Sequence, residues 1–127
     1  MERSTKFYTE VLDLEITQRR ETPVLLSARE HSHALGIRGI GSDASGPDSR
    51  QVGTNHFAWE MACFEDLQAM YRHLKAKEVE ILRVRDNTFS VGVYFNDPDG
   101  NGIEVDYEEP GGYRRAWEGQ YARKLLI

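Results

Sequence analysis

The chain has 127 residues, 39% of them hydrophobic and 29% charged, with a formal net charge of −5. That length suits one ordinary domain with a real core. No apolar run is long enough for a membrane-spanning helix, and an acidic balance offers no basic footprint for nucleic acid. The charged opening "MERSTKFY" carries no apolar signal region, and Cys63 is the single cysteine. Both features predict a cytoplasmic protein without an internal disulfide.

In chain order, residues 2–14 read as a helix, with Phe7, Val11 and Leu14 on one face and Tyr8 and Leu12 beside them. Three β-like runs follow, "LEITQ", "PVLLSA" and "HALGIR". The stretch "RGIGSDASGPDSRQVG" is rich in Gly, Ser and Asp and reads as a linker. Next, "NHFAWEM" alternates as a strand does. Phe57, Trp59 and Met61 face one way, and His56, Ala58 and Glu60 the other. Residues 65–77 read as a second helix, with Leu67, Met70, Tyr71 and Leu74 on one face and His73 a surface residue. Three further strands follow, "VEILRV", "SVGVYFN" and "GIEVDY".

The two halves repeat. Tyr8 matches Tyr71 and Val11 matches Leu74 at a common offset, and Ile16 matches Ile81 with two extra residues. The second half has a strand before its helix and the first has none. Carried back by the same offset, the partner of His56 falls roughly seven residues before Met1. The predicted organisation is therefore a single α+β domain of paired modules. Module one, residues 1–40, is α-β-β-β and lacks its first strand. A linker covers 41–53, and module two, residues 54–108, is β-α-β-β-β. Past the Pro110 and Gly111–Gly112 break, residues 109–127 read as a C-terminal docking helix, with Tyr113, Trp117, Tyr121 and Leu125 near helical spacing.

The strongest local signal is "YFNDPDGNGIEVDY". Asp97 to Gly102 make a tight turn between two strands. Beyond it Ile103, Val105 and Tyr107 share one face, and Gly102, Glu104 and Asp106 the other. Spacing alone leaves Glu104 readable as a solvated strand residue.

The stretches "FYTEVLDLEI", "NHFAWEM" and "YFNDPDGNGIEV" resemble the vicinal oxygen chelate superfamily of glyoxalases, bleomycin-resistance proteins and extradiol dioxygenases. The resemblance implies paired βαβββ modules curled around a metal cavity. It makes His56 and Glu104 metal ligands and places a third, a histidine, upstream of Met1. The glyoxalase branch has a glutamate where this chain has Gly36, which disfavours a lyase, isomerase or epimerase reading. The dioxygenase branch fits better, since two histidines and a carboxylate suit Fe(II) and leave open positions. Mn(II) is the alternative metal. In that branch His33 matches the acid–base catalyst, although His33 beside His31 also reads as a loop residue. Tyr94, ten residues before Glu104, matches a tyrosine that hydrogen-bonds the substrate, although it also reads as a cap on a hydrophobic layer. Asn87 stands near a substrate-contacting histidine of many relatives and cannot shuttle a proton. Trp59 and Phe57 read as core, with Trp59 also carried as a substrate contact. The implied activity is oxygen-dependent ring cleavage of a small aromatic diol by a homodimer. The alternative is a metal-free binding protein of the bleomycin-resistance type.

Overall fold

The computed structural model describes residues 1–28, 34–87, 89–112 and 114. Two helices and seven strands occur among them: α1 (Glu2–Glu10), β1 (Glu15–Arg19), β2 (Val24–Ser27), β3 (Leu35–Ile37), β4 (Phe57–Glu60), α2 (Phe64–Ala76), β5 (Ile81–Asp86), β6 (Ser90–Asn96) and β7 (Gly102–Glu108). The protein is α+β, and every strand read from the sequence is present. The chain divides into two compact units. One holds Met1–Gln51 with Asp97–Gly100, and the other Val52–Asn96 with Asn101–Ile127. No described helix is long and apolar enough to cross a membrane.

In the first unit β1, β2 and β3 form an antiparallel sheet in that order. Its core is Tyr8, Val11, Leu12, Leu14, Val24 and Leu26. Helix α1 stops at Glu10, short of the predicted Leu14, because Asp13 takes a left-handed φ of 55°. Val11 to Leu14 keep their apolar character and are buried in the turn that follows, apart from exposed Asp13.

The turn "DPDG" belongs to this first unit as well. The buried Tyr8 hydroxyl donates to Asp97 at 2.8 Å. Ser4 and Arg3, at the start of α1, donate to Asp99. Asp97 also accepts the Asp99 backbone N–H at 2.9 Å, which closes the turn. The Ser4 hydrogen bond, aided by Arg3, holds the Asp99 carboxyl below its usual range. Desolvation and the Asp97 bond push the Tyr8 phenol up.

In the second unit the order is β4-β7-β6-β5, with β4 parallel to β7 and the other pairs antiparallel. One face carries Val91, Val93 and Phe95 of β6 with Ile103 and Val105 of β7, all fully buried. Helix α2 lies against β7 and buries Leu67 and Leu74. Its C-terminus closes with Glu78 at a left-handed φ of 57° and the Val79 N–H on the Leu74 carbonyl, a helix-stop that satisfies orphan carbonyls.

Both helices thus end at an acidic residue with positive φ, so the repeat extends to the backbone. The units differ in strand number. The second has four strands, with β4 alongside β7. The first has three among the described residues, and the edge of β3 that corresponds to β7 carries no strand there.

Candidate functional site

Alternation in β4 and β7 sets the site. Ala58 pairs with Glu104 and Trp59 with Val105. Residues of even number on these strands therefore leave the core face. His56 stands one step before β4. Gly102 is its neighbour on β7, and a Cβ there would lie 3.2 Å from the His56 Cβ and strike the Asn55 carbonyl. This is a position where only glycine allows so close an approach.

The two predicted ligand residues come together. His56 Nε2 lies 3.0 Å from Glu104 Oε2, and their side chains are 32% and 14% exposed. His56 Nδ1 lies 2.6 Å from Asn55 Oδ1. An amide oxygen only accepts, so Nδ1 carries the hydrogen. Nε2 then faces a carboxylate oxygen. Two acceptors at this separation require a cation between them, either a proton or a metal ion. This donor chemistry fits a first-row divalent metal in kind. It falls short in number, since the described residues include no group of three His, Cys, Asp or Glu side chains placed for one ion.

Tyr94 of β6 pairs with Glu104 and is buried. Its ring meets the His56 ring edge-on, with centroids 5.4 Å apart. Burial and a hydrogen bond to Glu104 push its hydroxyl up to about 12, against the opposing pull of Arg83 and Arg85. At neutral pH it is a phenol, a donor poised beside the carboxylate. Opposite Asp106 on β6 stands Gly92. A Cβ at Gly92 would overlap the Glu104 carboxylate and approach the Tyr94 ring at 3.1 Å. Asp106, further along this face, has a buried Oδ1 without a hydrogen-bond partner. Burial first, then Glu104, Glu108 and Glu60, push its carboxyl up to about 6.

The other site expectations fare differently. Trp59 points to the opposite face, where it packs edge-on to Phe57 with its indole Nε1 buried and unpartnered. Strand alternation therefore keeps it away from His56 and Glu104. The Asn87 amide donates to Ser90 Oγ at 3.5 Å across the β5–β6 turn and contacts neither His56 nor Glu104. Gly36 lies in β3 opposite Leu25. His33 lies outside the described residues, as does most of the predicted C-terminal helix. Sequence reading missed Asn55, Gly92 and Arg83. The Arg83 guanidinium carbon sits 4.0 Å over the Tyr94 ring. Asn55 had a signal, a side-chain amide directly before the histidine. Gly92 and Arg83 are defined by pairing across strands, which the sequence does not display.

This geometry agrees with comparisons to known proteins. Residues 1–105 match the family model of the Glyoxalase/Bleomycin resistance protein/Dioxygenase superfamily, the vicinal oxygen chelate group, and the chain belongs to that superfamily. Among curated proteins it is 28% identical over 122 residues to catechol-2,3-dioxygenase of Bacillus subtilis (strain 168), covering 95% of this chain and 42% of the relative. It is 24% identical over 102 residues to biphenyl-2,3-diol 1,2-dioxygenase 2 of Rhodococcus globerulus, covering 80% of this chain and 54% of the relative. The chain thus spans about half the length of the curated relatives it matches.

Among solved structures, a glyoxalase/dioxygenase from Nostoc punctiforme superposes with a TM-score of 0.71 at 19% identity, covering 86% of this chain and 84% of that one. Lactoylglutathione lyase from Agrobacterium tumefaciens gives 0.65 at 23% identity, covering 84% of each. These two likenesses show the fold.

Proposed function

We propose that the chain works as an extradiol-type, ring-cleaving dioxygenase on a catechol-type small molecule with O2, with His56 and Glu104 as two ligands of one Fe(II) or Mn(II) ion. The observation that carries this reading is the convergence of His56 Nε2 and Glu104 Oε2 at 3.0 Å on the polar face of the four-stranded sheet. The dioxygenase names of the curated relatives support it. The third ligand is a residue outside those described here, in this chain or in a second copy. A homodimer accommodates the second source, and the open edge of β3 is the kind of surface that association covers.

Each residue has a defined task. Asn55 holds the His56 tautomer that leaves Nε2 free to coordinate. Gly92 leaves room for the Glu104 carboxylate. Tyr94 stays protonated and donates a hydrogen bond to a substrate oxygen beside Glu104. A bound metal would supply the Lewis acidity that lowers the hydroxyl pKa of a chelated diol.

A second reading is a metal-free binding protein of the bleomycin-resistance type. It is favoured by the fact that the described residues supply two donors and not three.

Anaerobic Fe(II) titration of the chain and of His56→Ala separates the two. The dioxygenase reading expects binding that falls by more than the roughly 10–100-fold cost of losing an outer-shell partner, followed by oxygen uptake with catechol. Equal, negligible binding in both proteins would sink it in favour of the metal-free binder. Light scattering on the same samples checks the dimer.

A further inference from the structure

Strand β5 does not follow plain alternation. Its register to β6 slips by one residue between Ile81 and Arg83. Ile81 pairs with the buried Phe95 and so belongs to the core face. Unbroken antiparallel pairing from there would set Leu82 opposite Tyr94 and Arg83 opposite Val93, which is fully buried. The extra residue prevents this. Leu82 is left over at the bulge, 54% exposed. Arg83 pairs with Tyr94 instead, and Val84 takes the place opposite Val93. Bulges re-aim side chains in this way. Strand β1 has a shift at the matching place, where it leads to Gln18 opposite Leu25. The bulge is therefore common to both units, and the arginine it delivers is particular to the second.

What the bulge delivers is a cation on an aromatic face. The Arg83 guanidinium carbon lies 4.0 Å from the centroid of the Tyr94 ring, inside the range of a cation–π attraction. Arg83 is exposed, and among the described residues it forms no ion pair that would account for its place. The rest of the ring is confined as well. The His56 ring meets it edge-on at 5.4 Å. A Cβ at Gly92 would come within 3.1 Å of the ring's Cε2. A tyrosine ring held by such contacts carries its hydroxyl in one direction, and here the hydroxyl is hydrogen-bonded to Glu104. Leucine opposite Tyr94 would give the ring no cation to hold its face.

We propose that Arg83 is a positioning residue. It holds the Tyr94 ring so that the hydroxyl stays beside Glu104, and the β5 bulge brings it there. The contact needs no ligand, and its consequence for a bound diol rests on the diol reading of the His56–Glu104 site.

Anaerobic calorimetry with catechol on the Fe(II)-treated full chain compares wild type, Arg83→Gln, Arg83→Lys, Tyr94→Phe and the Arg83→Gln/Tyr94→Phe double variant. Arg83→Gln should weaken catechol binding by about two- to fivefold, the size of an exposed cation–π contact. Arg83→Lys keeps a cation and should recover part of that loss. In the Tyr94→Phe background Arg83→Gln should change nothing, because the hydroxyl it positions is gone. A loss that persists in that background overturns the proposal, since the arginine would then act on the ligand itself. No loss in either background overturns it as well. A second measurement needs no ligand: the NMR cross-relaxation between the Tyr94 ring and the Gly92 Hα protons in the metal-free chain. It should be strong in wild type and weaker in Arg83→Gln, and an unchanged signal overturns the proposal. If catechol fails to bind wild type, the diol reading falls, and the ring signal alone upholds or overturns the positioning role.

Discussion

An imidazole that gives its Nδ1–H to Asn55 turns Nε2 toward Glu104 Oε2, an acceptor, so a proton or a metal ion must lie between the two. Their approach makes Asn55 the residue that decides what sits between them. Without its amide oxygen the ring is free to carry its hydrogen on Nε2 and to donate to Glu104, which competes with a metal ion for the same position. Asn55 is exposed, so removing its side chain should leave the fold intact. Asn55→Ala is expected to weaken Fe(II) binding by about 10–100-fold, the usual cost of losing the group that orients a ligating histidine, with little change in the urea midpoint. Titration at two pH values checks it. An unchanged affinity would mean that the tautomer is set by something else. The parity that brings His56 and Glu104 to one face was legible in "NHFAWEM" and "GIEVDY", because strand alternation is local. Arg83 was not legible. Its place beside Tyr94 depends on a register that shifts between Ile81 and Arg83, and an irregularity of that kind is fixed by the partner strand.

At the scale of elements, the "DPDG" turn links α1 to a segment far away in sequence. The Tyr8 hydroxyl and Asp97 are 89 residues apart and both buried. Losing that bond leaves a buried carboxylate with one donor fewer, and Tyr8→Phe should destabilise the protein by about 1–3 kcal/mol. Asp99 gives a pH signature. Its carboxyl is held below its usual range by Ser4 first and Arg3 second. A depressed folded-state pKa means that the ionised form stabilises the fold above the ordinary carboxylate range, and that this contribution fades as pH falls through the folded value. Ser4→Ala should therefore lose stability to wild type near neutral pH and converge with it below about pH 4. Urea melts across that range check both variants, and a constant gap at all pH values would count against the Asp99 account. The turn itself was readable from Asp, Pro and Gly. Its partners were not, since nothing near Asp97 or Asp99 in sequence points to α1. The early end of α1 was hidden for a related reason: Val11, Leu12 and Leu14 keep a helical apolar spacing, but are buried from the turn that Asp13 opens.

For the whole molecule, the repeat read from two amphipathic helices matches two units, α-β-β-β and β-α-β-β-β, but chain order and unit membership differ. Residues 97–100 sit between β6 and β7 in sequence and cluster with the first unit. The stretch rich in Gly, Ser and Asp clusters with the first unit as far as Gln51, and the second unit begins at Val52. Both proposed metal donors, His56 and Glu104, belong to the second unit, as do Tyr94, Gly92 and Arg83. A ligand that binds only the folded site stabilises what must unfold to release it, by about 2.7 kcal/mol at a hundredfold excess over Kd, or about a hundredfold in exchange rate. Hydrogen exchange with and without Fe(II) should therefore show the added protection first in β4 and β7, extending through β6 and β5, with a smaller effect on β1 to β3. Equal slowing in both sets of strands would show that the chain opens as one cooperative block. Slowing confined to β1 to β3 would place the metal outside the His56–Glu104 pair and overturn its assignment as a ligand set.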